Sequence, residues 1–224
     1  MCGIVAYIGP NQAYDYLIKG LQRLEYRGYD SAGVALLNNG LKVYKCKGKV
    51  ADLIETAKGN DLTGNIGIGH TRWATHGEPN TVNAHPQVSQ SGDIAVIHNG
   101  IIENYASIKE WLTERGHVFE SETDTEVLVH LVEEIRKNEK VDLFEAVRLA
   151  LNEVVGAYAI VFISKSDPNV FIGARNGSPL VVGIGEAEGE FFMASDASPI
   201  VEYTKKVSYL DDGEIALIKN GELT

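Results

Sequence analysis

A cysteine stands directly behind the initiator methionine, heading the apolar run Met1-Cys2-Gly3-Ile4-Val5-Ala6-Tyr7-Ile8-Gly9. Chain ends usually fray, so a thiol that leads straight into strand-like sequence is either incidental or central. Three further groupings carry chemistry. "GHTRWATHG" gathers His70, Arg72, Trp73, Thr75 and His76 where a strand should run out, and "VIHNG" ends another strand on His98, Asn99 and Gly100. "ETDTE" sets Asp124 at a helix start, where backbone N–H groups and the helix dipole favour a carboxylate. Together they supply a nucleophile, a cation, an amide donor and an anion. Taken singly, each has an ordinary use: Arg72 as a surface charge, Asp124 as a helix cap, Asn99-Gly100 as a turn.

His70, His76, His85 and His98 make no HExxH pattern and no short carboxylate–histidine pairing, so no metal or other cofactor is expected. The two cysteines, Cys2 and Cys46, form neither a disulfide framework nor a CxxC pair. Cys46 reads as a strand residue, and the usage as a whole fits a reducing cytoplasm.

The elements that must position these groups follow from pattern. "CGIVAYIG" is short and β-branched, hence a strand. Ala13, Leu17, Leu21 and Leu24 recur at helical spacing. "SAGVALL" and "LKVYKCKG" flank Asn39-Gly40, a hairpin signal. Val50, Leu53, Ile54 and Ala57 line a short helix that Gly59 closes. Two strands, "IGIGHTRW" and "DIAVIHNG", bracket "ATHGEPNTVNAHPQVSQSG", whose Gly, Pro, Asn and Ser content predicts a loop. Such long connections tend to be functional. Three helices follow; the second opens on the capping-box pattern Thr123-x-x-Glu126 and the third on Asp142. After Gly156 six short strands succeed one another. The pattern is α+β, with two stacked antiparallel sheets faced by helices.

The chain has 224 residues, of which 44% are hydrophobic and 23% charged, enough for a sizeable core. Twenty Lys and Arg stand against 31 Asp and Glu, a net charge of -11. No basic stripe is available to neutralise phosphates, which excludes a nucleic-acid binder, and an acidic surface repels anionic lipid. No apolar run approaches the ~20 residues that span a bilayer, and the first residues lack a signal peptide's basic region.

"MCGIVAYIG", "LEYRGYDSAG", "GHTRWATHGEPNTVNAHP", "HNGIIENY", "SETDTEV", "GAYAIVF", "ARNGSPLVVG", "ASDASPI" and "LDDGEIA" together resemble the glutaminase domains of the glutamine–fructose-6-phosphate aminotransferases. These belong to the class II, N-terminal-nucleophile amidotransferases. The likeness runs over almost the whole chain. "RGYDSAG" and Trp73 separate it from the amidophosphoribosyltransferase branch, which typically has Gln before "DSAG" and Tyr at the tryptophan.

The resemblance implies an αββα sandwich, the N-terminal-nucleophile hydrolase fold, as one type 2 domain over residues 1–224. It implies hydrolysis of L-glutamine through a Cys2 γ-glutamyl thioester, with the α-amine exposed by loss of Met1 as base. Asn99 and Gly100 are then the oxyanion hole. Arg72 clamps the α-carboxylate and Asp124 the α-ammonium. Trp73, Thr75 and His76 line the pocket, and Arg27 and Gly28 belong to the catalytic surroundings. His85 is expected only to brace the long loop. The sugar-isomerase domains that receive the ammonia are absent, so a monomer or weak dimer is expected. Two alternatives remain: a sibling class II amidotransferase, or a non-catalytic glutamine-binding module if Met1 is retained.

Overall fold

The computed structural model describes residues 2–73 and 77–224. Two antiparallel sheets stack face to face, with helices on both outer surfaces. The first sheet contains β1 (Gly3–Ile8), β2 (Ser31–Leu37), β3 (Leu41–Lys47), β4 (Ile66–Arg72), β9 (Val181–Ile184), β10 (Phe191–Ala194) and β11 (Lys206–Tyr209), in the order β11-β9-β10-β1-β4-β2-β3. The second contains β5 (Gln87–Val88), β6 (Ile94–Ile102), β7 (Gly156–Ser164), β8 (Val170–Asn176), β12 (Ile215–Lys219) and β13 (Glu222–Leu223), in the order β13-β12-β8-β7-β6-β5. Helices α1 (Ala13–Leu24) and α2 (Val50–Ala57) cover the first sheet. Helices α3 (Tyr105–Thr113), α4 (Asp124–Glu139) and α5 (Leu143–Glu153) cover the second. This is the expected four-layer αββα arrangement.

The inner core shows how strand alternation delivers the site. Ile4, Ala6 and Ile8 of β1 face inward, as do Ile66 and Ile68 of β4 and Ala95 and Ile97 of β6. With a side-chain period of two, the next inward positions at one end of these rows are Cys2, His70 and Asn99. The apolar layer therefore ends in a thiol, an imidazole and an amide. His98, one residue off that row, points to the opposite face, where its Nδ1 lies 2.9 Å from Thr125 Oγ1 on α4.

Local chemistry accounts for several element boundaries. Asn39 and Gly40 both take positive φ, 49° and 144°, as the tight β2–β3 turn demands. Asp142 caps α5 by accepting the Glu145 N–H at 2.9 Å. At α4 the predicted capping box is only half formed. Thr123 Oγ1 accepts the Glu126 N–H at 3.3 Å, but the Glu126 carboxylate turns to the backbone N–H groups of Glu120 and Ser121, at 2.9 and 2.7 Å. It thereby ties down the segment leading into the helix.

Two short strands differ from the sequence reading, the first being β13, which pairs with the end of β12 and makes a seventh strand after Gly156. The stretch expected to be loop throughout contains the two-residue β5, paired with Val96 and Ala95 of β6. Gln87 is buried and Val88 packs on the inner core, so two residues in a polar run close the sheet edge.

Candidate active site

A cavity of about 410 Å³ opens where the inward rows run out. Cys2, Arg27, Arg72, Trp73, Asn99, Gly100 and Asp124 all border it, so seven of the ten positions singled out in the sequence converge. Gly28 sits just outside, beneath Trp73. Thr75 and His76 lie outside the described residues.

Cys2 reaches the cavity from the residue before β1. Its Sγ accepts the Trp73 backbone N–H at 3.2 Å and lies 3.5 Å from the Trp73 carbonyl. Burial pushes the thiol pKa up, and the Trp73 N–H and nearby positive charge offset this only in part. The resting sulfur is therefore a thiol that needs a base before it can attack.

Asn99 comes from the other sheet. Its Nδ2 donates to the Cys2 carbonyl at 3.2 Å, and its Oδ1 lies 2.8 Å from Nε2 of the wholly buried His70. Gly100 follows at φ 132°, and a Cβ built there would stand 2.0 Å from the Ala157 carbonyl oxygen of β7. Glycine is required on both counts. The result is a backbone N–H one residue after a side-chain amide, at an exposed strand end.

Arg72 ends β4 and is only 4% exposed. One guanidinium nitrogen donates to the Gly77 carbonyl at 3.2 Å, and another stands 4.0 Å from Asp30. Asp124, 7% exposed, accepts the Ile102 N–H at 2.8 Å from the first turn of α4. A fork-shaped cation and a carboxylate thus face one small cavity, the pairing that an α-amino acid's two charges require.

Arg27 is held by Ser195 Oγ at 3.2 Å and by the Asp196 carboxylate at 2.9 Å. Ser195 Oγ also accepts the Ile4 N–H at 3.1 Å, which links Arg27 to the start of β1. Gly28 has φ 93°, and a Cβ there would come within 2.5 Å of the Trp73 ring. The bare glycine lets the half-exposed indole lie over this backbone.

Several participants were not named as site residues from sequence. Asp30, Ser195 and Asp196 lie within "RGYDSAG" and "ASDASPI", and Ser178 and Pro179 within "ARNGSPLVVG". The motifs signalled them without giving roles. His85 does more than brace a loop: it borders the cavity, and its Nδ1 stands 3.2 Å from His70 Nδ1. Among the described residues, no group of three or more His, Cys, Asp or Glu is arranged to hold a metal. Among them, too, no helix is long and apolar enough to cross a membrane.

Comparison with known proteins bears on the family and the fold. The chain is 63% identical over 224 residues to the glutamine–fructose-6-phosphate aminotransferase (isomerizing) of Bacteroides thetaiotaomicron, covering 99% of the chain and 36% of that protein. It is 55% identical over 228 residues to the enzyme of that name from Chlorobaculum tepidum, covering 100% of the chain and 37% of the relative. The chain thus spans little more than a third of the relatives it matches. Among solved structures, the glutamine phosphoribosylpyrophosphate amidotransferase from B. subtilis superposes with a TM-score of 0.83 at 27% identity, covering 100% of this chain and 48% of that one. The allosteric regulatory enzyme of purine biosynthesis gives 0.86 at 26%, over 99% of this chain and 48% of that one. The profile of the glutamine amidotransferase domain matches residues 55–220, which hold four of the first sheet's seven strands and five of the second sheet's six, and the chain belongs to that family.

Proposed function

We propose that this chain carries out the glutaminase half-reaction, hydrolysing free L-glutamine to glutamate and ammonia. The observation that carries the reading is the meeting of Cys2, Arg72, Asn99 and Asp124 around one cavity of about 410 Å³. Loss of Met1 gives Cys2 a free α-amine, a group with pKa ~7.7–8.0 and so a fitting base near neutral pH. The thiol proton passes to that amine, and the thiolate attacks the side-chain amide carbon of glutamine. The carbonyl oxygen takes up the negative charge and is met by Asn99 Nδ2 and the Gly100 N–H. The amine returns the proton to the leaving nitrogen, ammonia departs, and a γ-glutamyl thioester remains. Water attacks the thioester, glutamate leaves and the thiol is restored.

Arg72 takes the α-carboxylate of glutamine and Asp124 its α-ammonium, so a ligand without either charge leaves a buried ion uncompensated. Asparagine, one methylene shorter, keeps its amide away from Cys2. Arg27, held by Ser195 and Asp196, supports the N-terminal amine, and Trp73, Thr75 and His76 complete the pocket wall. No cofactor is needed. Both cysteines are free, which suits a reducing cytoplasm.

In the longer protein, the ammonia is destined for fructose 6-phosphate held by sugar-isomerase domains, and the product is glucosamine 6-phosphate. The relatives' name and the roughly one-third coverage support that assignment. Residues 1–224 then form a single catalytic unit, a monomer or weak dimer in isolation, that releases ammonia without making the amino sugar. Intact mass after treatment with a diazo-ketone glutamine analogue tests the reading. A mass lacking Met1 with one covalent adduct, and none in Cys2→Ala, is expected. Unmodified protein retaining Met1 would instead favour a non-catalytic glutamine-binding module.

A further inference from the structure

The hydrogen bonds around Asn99 contain more information than their distances, because one end of the chain has a fixed polarity. A backbone carbonyl can only accept, so the Asn99 atom 3.2 Å from the Cys2 carbonyl must be the NH₂. Oδ1 therefore faces His70 Nε2 at 2.8 Å, and that nitrogen must carry a hydrogen. His70 is neutral, its pKa pushed down to about 3 chiefly by complete burial, so its Nδ1 bears only a lone pair. His85 Nδ1, 3.2 Å away, must then be the N–H donor. Burial holds His85 neutral as well, which leaves its Nε2 bare. That atom is buried without a hydrogen-bond partner among the described residues, on a ring that borders the cavity.

We propose that His70 and His85 are positioning residues for the oxyanion amide, a directional chain from His85 through His70 that holds Asn99 with its NH₂ toward Cys2. This rests on the glutaminase reading above. An asparagine amide is nearly symmetric in shape, and a half-turn about its last bond exchanges NH₂ for oxygen. In the reversed orientation, oxygen would face the Cys2 carbonyl and the developing oxyanion, and both contacts would become repulsive. The His70 N–H makes that state unfavourable by demanding an acceptor from Asn99. His85 in turn fixes the His70 tautomer, since donation to Nδ1 leaves the hydrogen on Nε2. One N–H of the amide is used on Cys2, and the second is kept for substrate. The two sheets contribute one member each to the decisive contact: His70 from β4 and Asn99 from β6.

The test is a double-mutant cycle in glutamine hydrolysis by this chain. His70→Leu removes the donor and should lower kcat by about 10- to 100-fold, short of the ~10²–10³ for losing a whole oxyanion donor. KM for glutamine should stay within about twofold, because the amide contact matters in the transition state. His70→Gln, which can present an N–H at the same place, should recover most of the loss. In an Asn99→Ala background, His70→Leu should add less than about twofold. His85→Phe should act in the same direction by a smaller factor, again only when Asn99 is present. If His70→Leu does not fold, His70→Gln and His85→Phe complete the same cycle. An equal loss with and without Asn99, a rise in KM alone, or unchanged kcat would overturn the proposal. A wild-type chain that neither turns over nor takes the adduct overturns the glutaminase reading instead.

Discussion

The His70–His85 pair and the His117–His130 pair are built on the same contact, Nδ1 to Nδ1, at 3.2 and 3.1 Å. They differ in what lies beyond. The first pair ends on the neutral amide of Asn99 in the seam between the sheets, where both rings are buried. The second, between α4 and the segment before it, ends on carboxylates. His117 Nε2 is 3.1 Å from Glu134, and His130 Nε2 is 3.8 Å from Glu126. Burial pulls the His130 pKa down, but Glu126 and Glu133 oppose it. Burial pushes Glu134 up, yet the hydrogen bonds from His117 and Asn138 hold it below the usual carboxylate range. An imidazole pair ending on an amide transmits hydrogen-bond direction, whereas one ending on carboxylates, which can only accept, passes no choice of direction on. Only the first can set the orientation of a catalytic group. The two regions share α4, whose first turn carries Asp124 while later turns carry His130 and Glu134.

The largest effect that separates them is kinetic. Asn99→Ala should lower kcat for glutamine by about 10²–10³, and by stranding the buried His70 N–H it should also cost about 1–3 kcal/mol of stability. Glu134→Gln, the corresponding terminus of the other pair, should leave kcat within about twofold, since Glu134 does not border the cavity and sits on a later turn of α4 than Asp124. Steady-state kinetics on the two purified variants checks this, and a comparable loss in both would erase the distinction.

Why one region was legible in the sequence and the other was not follows from local pattern. The short apolar runs of β1, β4 and β6 put Cys2, His70 and Asn99 at strand ends, although burial on both faces hides which side each residue takes. Motif chemistry then identified Cys2, Arg72, Asn99 and Asp124. The link between His70 and Asn99 joins strands on different sheets, and no sequence spacing reports that distance. His85 lies in a stretch whose Gly, Pro, Asn and Ser content masked both β5 and the ring's approach to His70. His117 and His130 escaped for another reason. One precedes α4 and the other sits within it, so their contact depends on a turn that propensity does not fix.

The second effect is on stability against pH, and its sign follows from linkage. A histidine in the unfolded chain titrates near 6.5, whereas His70 in the fold is held at about 3 by burial. Below about pH 6.5 the unfolded state takes up a proton that the native state refuses, so stability falls as pH falls. The contribution is fully present above that value. At pH 5 the loss is about 2 kcal/mol for such a group. His85 and His98, both pulled down by burial, act in the same sense. Glu134, held low, loses its contribution only under more acidic conditions, as pH falls below the ordinary carboxylate pKa of about 4.3 toward its folded value. Urea unfolding of wild type and His70→Gln at pH 8 and pH 5 should show a shallower decline in the variant, by up to about 2 kcal/mol. Equal slopes would mean that His70 is not held neutral and that the directional chain does not exist.

The smallest effect probes the helix that joins the two regions. Thr123 accepts the Glu126 N–H at the start of α4, and its hydroxyl lies 2.8 Å from Ser121 Oγ. Thr123→Ala should cost about 1 kcal/mol, the usual consequence of losing a helix N-cap. Thr123→Ser keeps the hydroxyl and should restore most of it. Because Asp124 is the next residue and Thr123 borders the cavity, the same change should raise KM for glutamine more than it lowers kcat. A loss of about 1 kcal/mol in carboxylate placement corresponds to roughly fivefold in KM. The distal pair hangs on later turns of the helix and should keep its contacts, seen as unchanged His117 and His130 ring resonances in NMR. If those resonances shift together with KM, α4 moves as a rigid unit and the two histidine regions are mechanically coupled. If KM alone moves, the first turn adjusts locally, and the directional pair and the carboxylate-bound pair are independent parts of one fold.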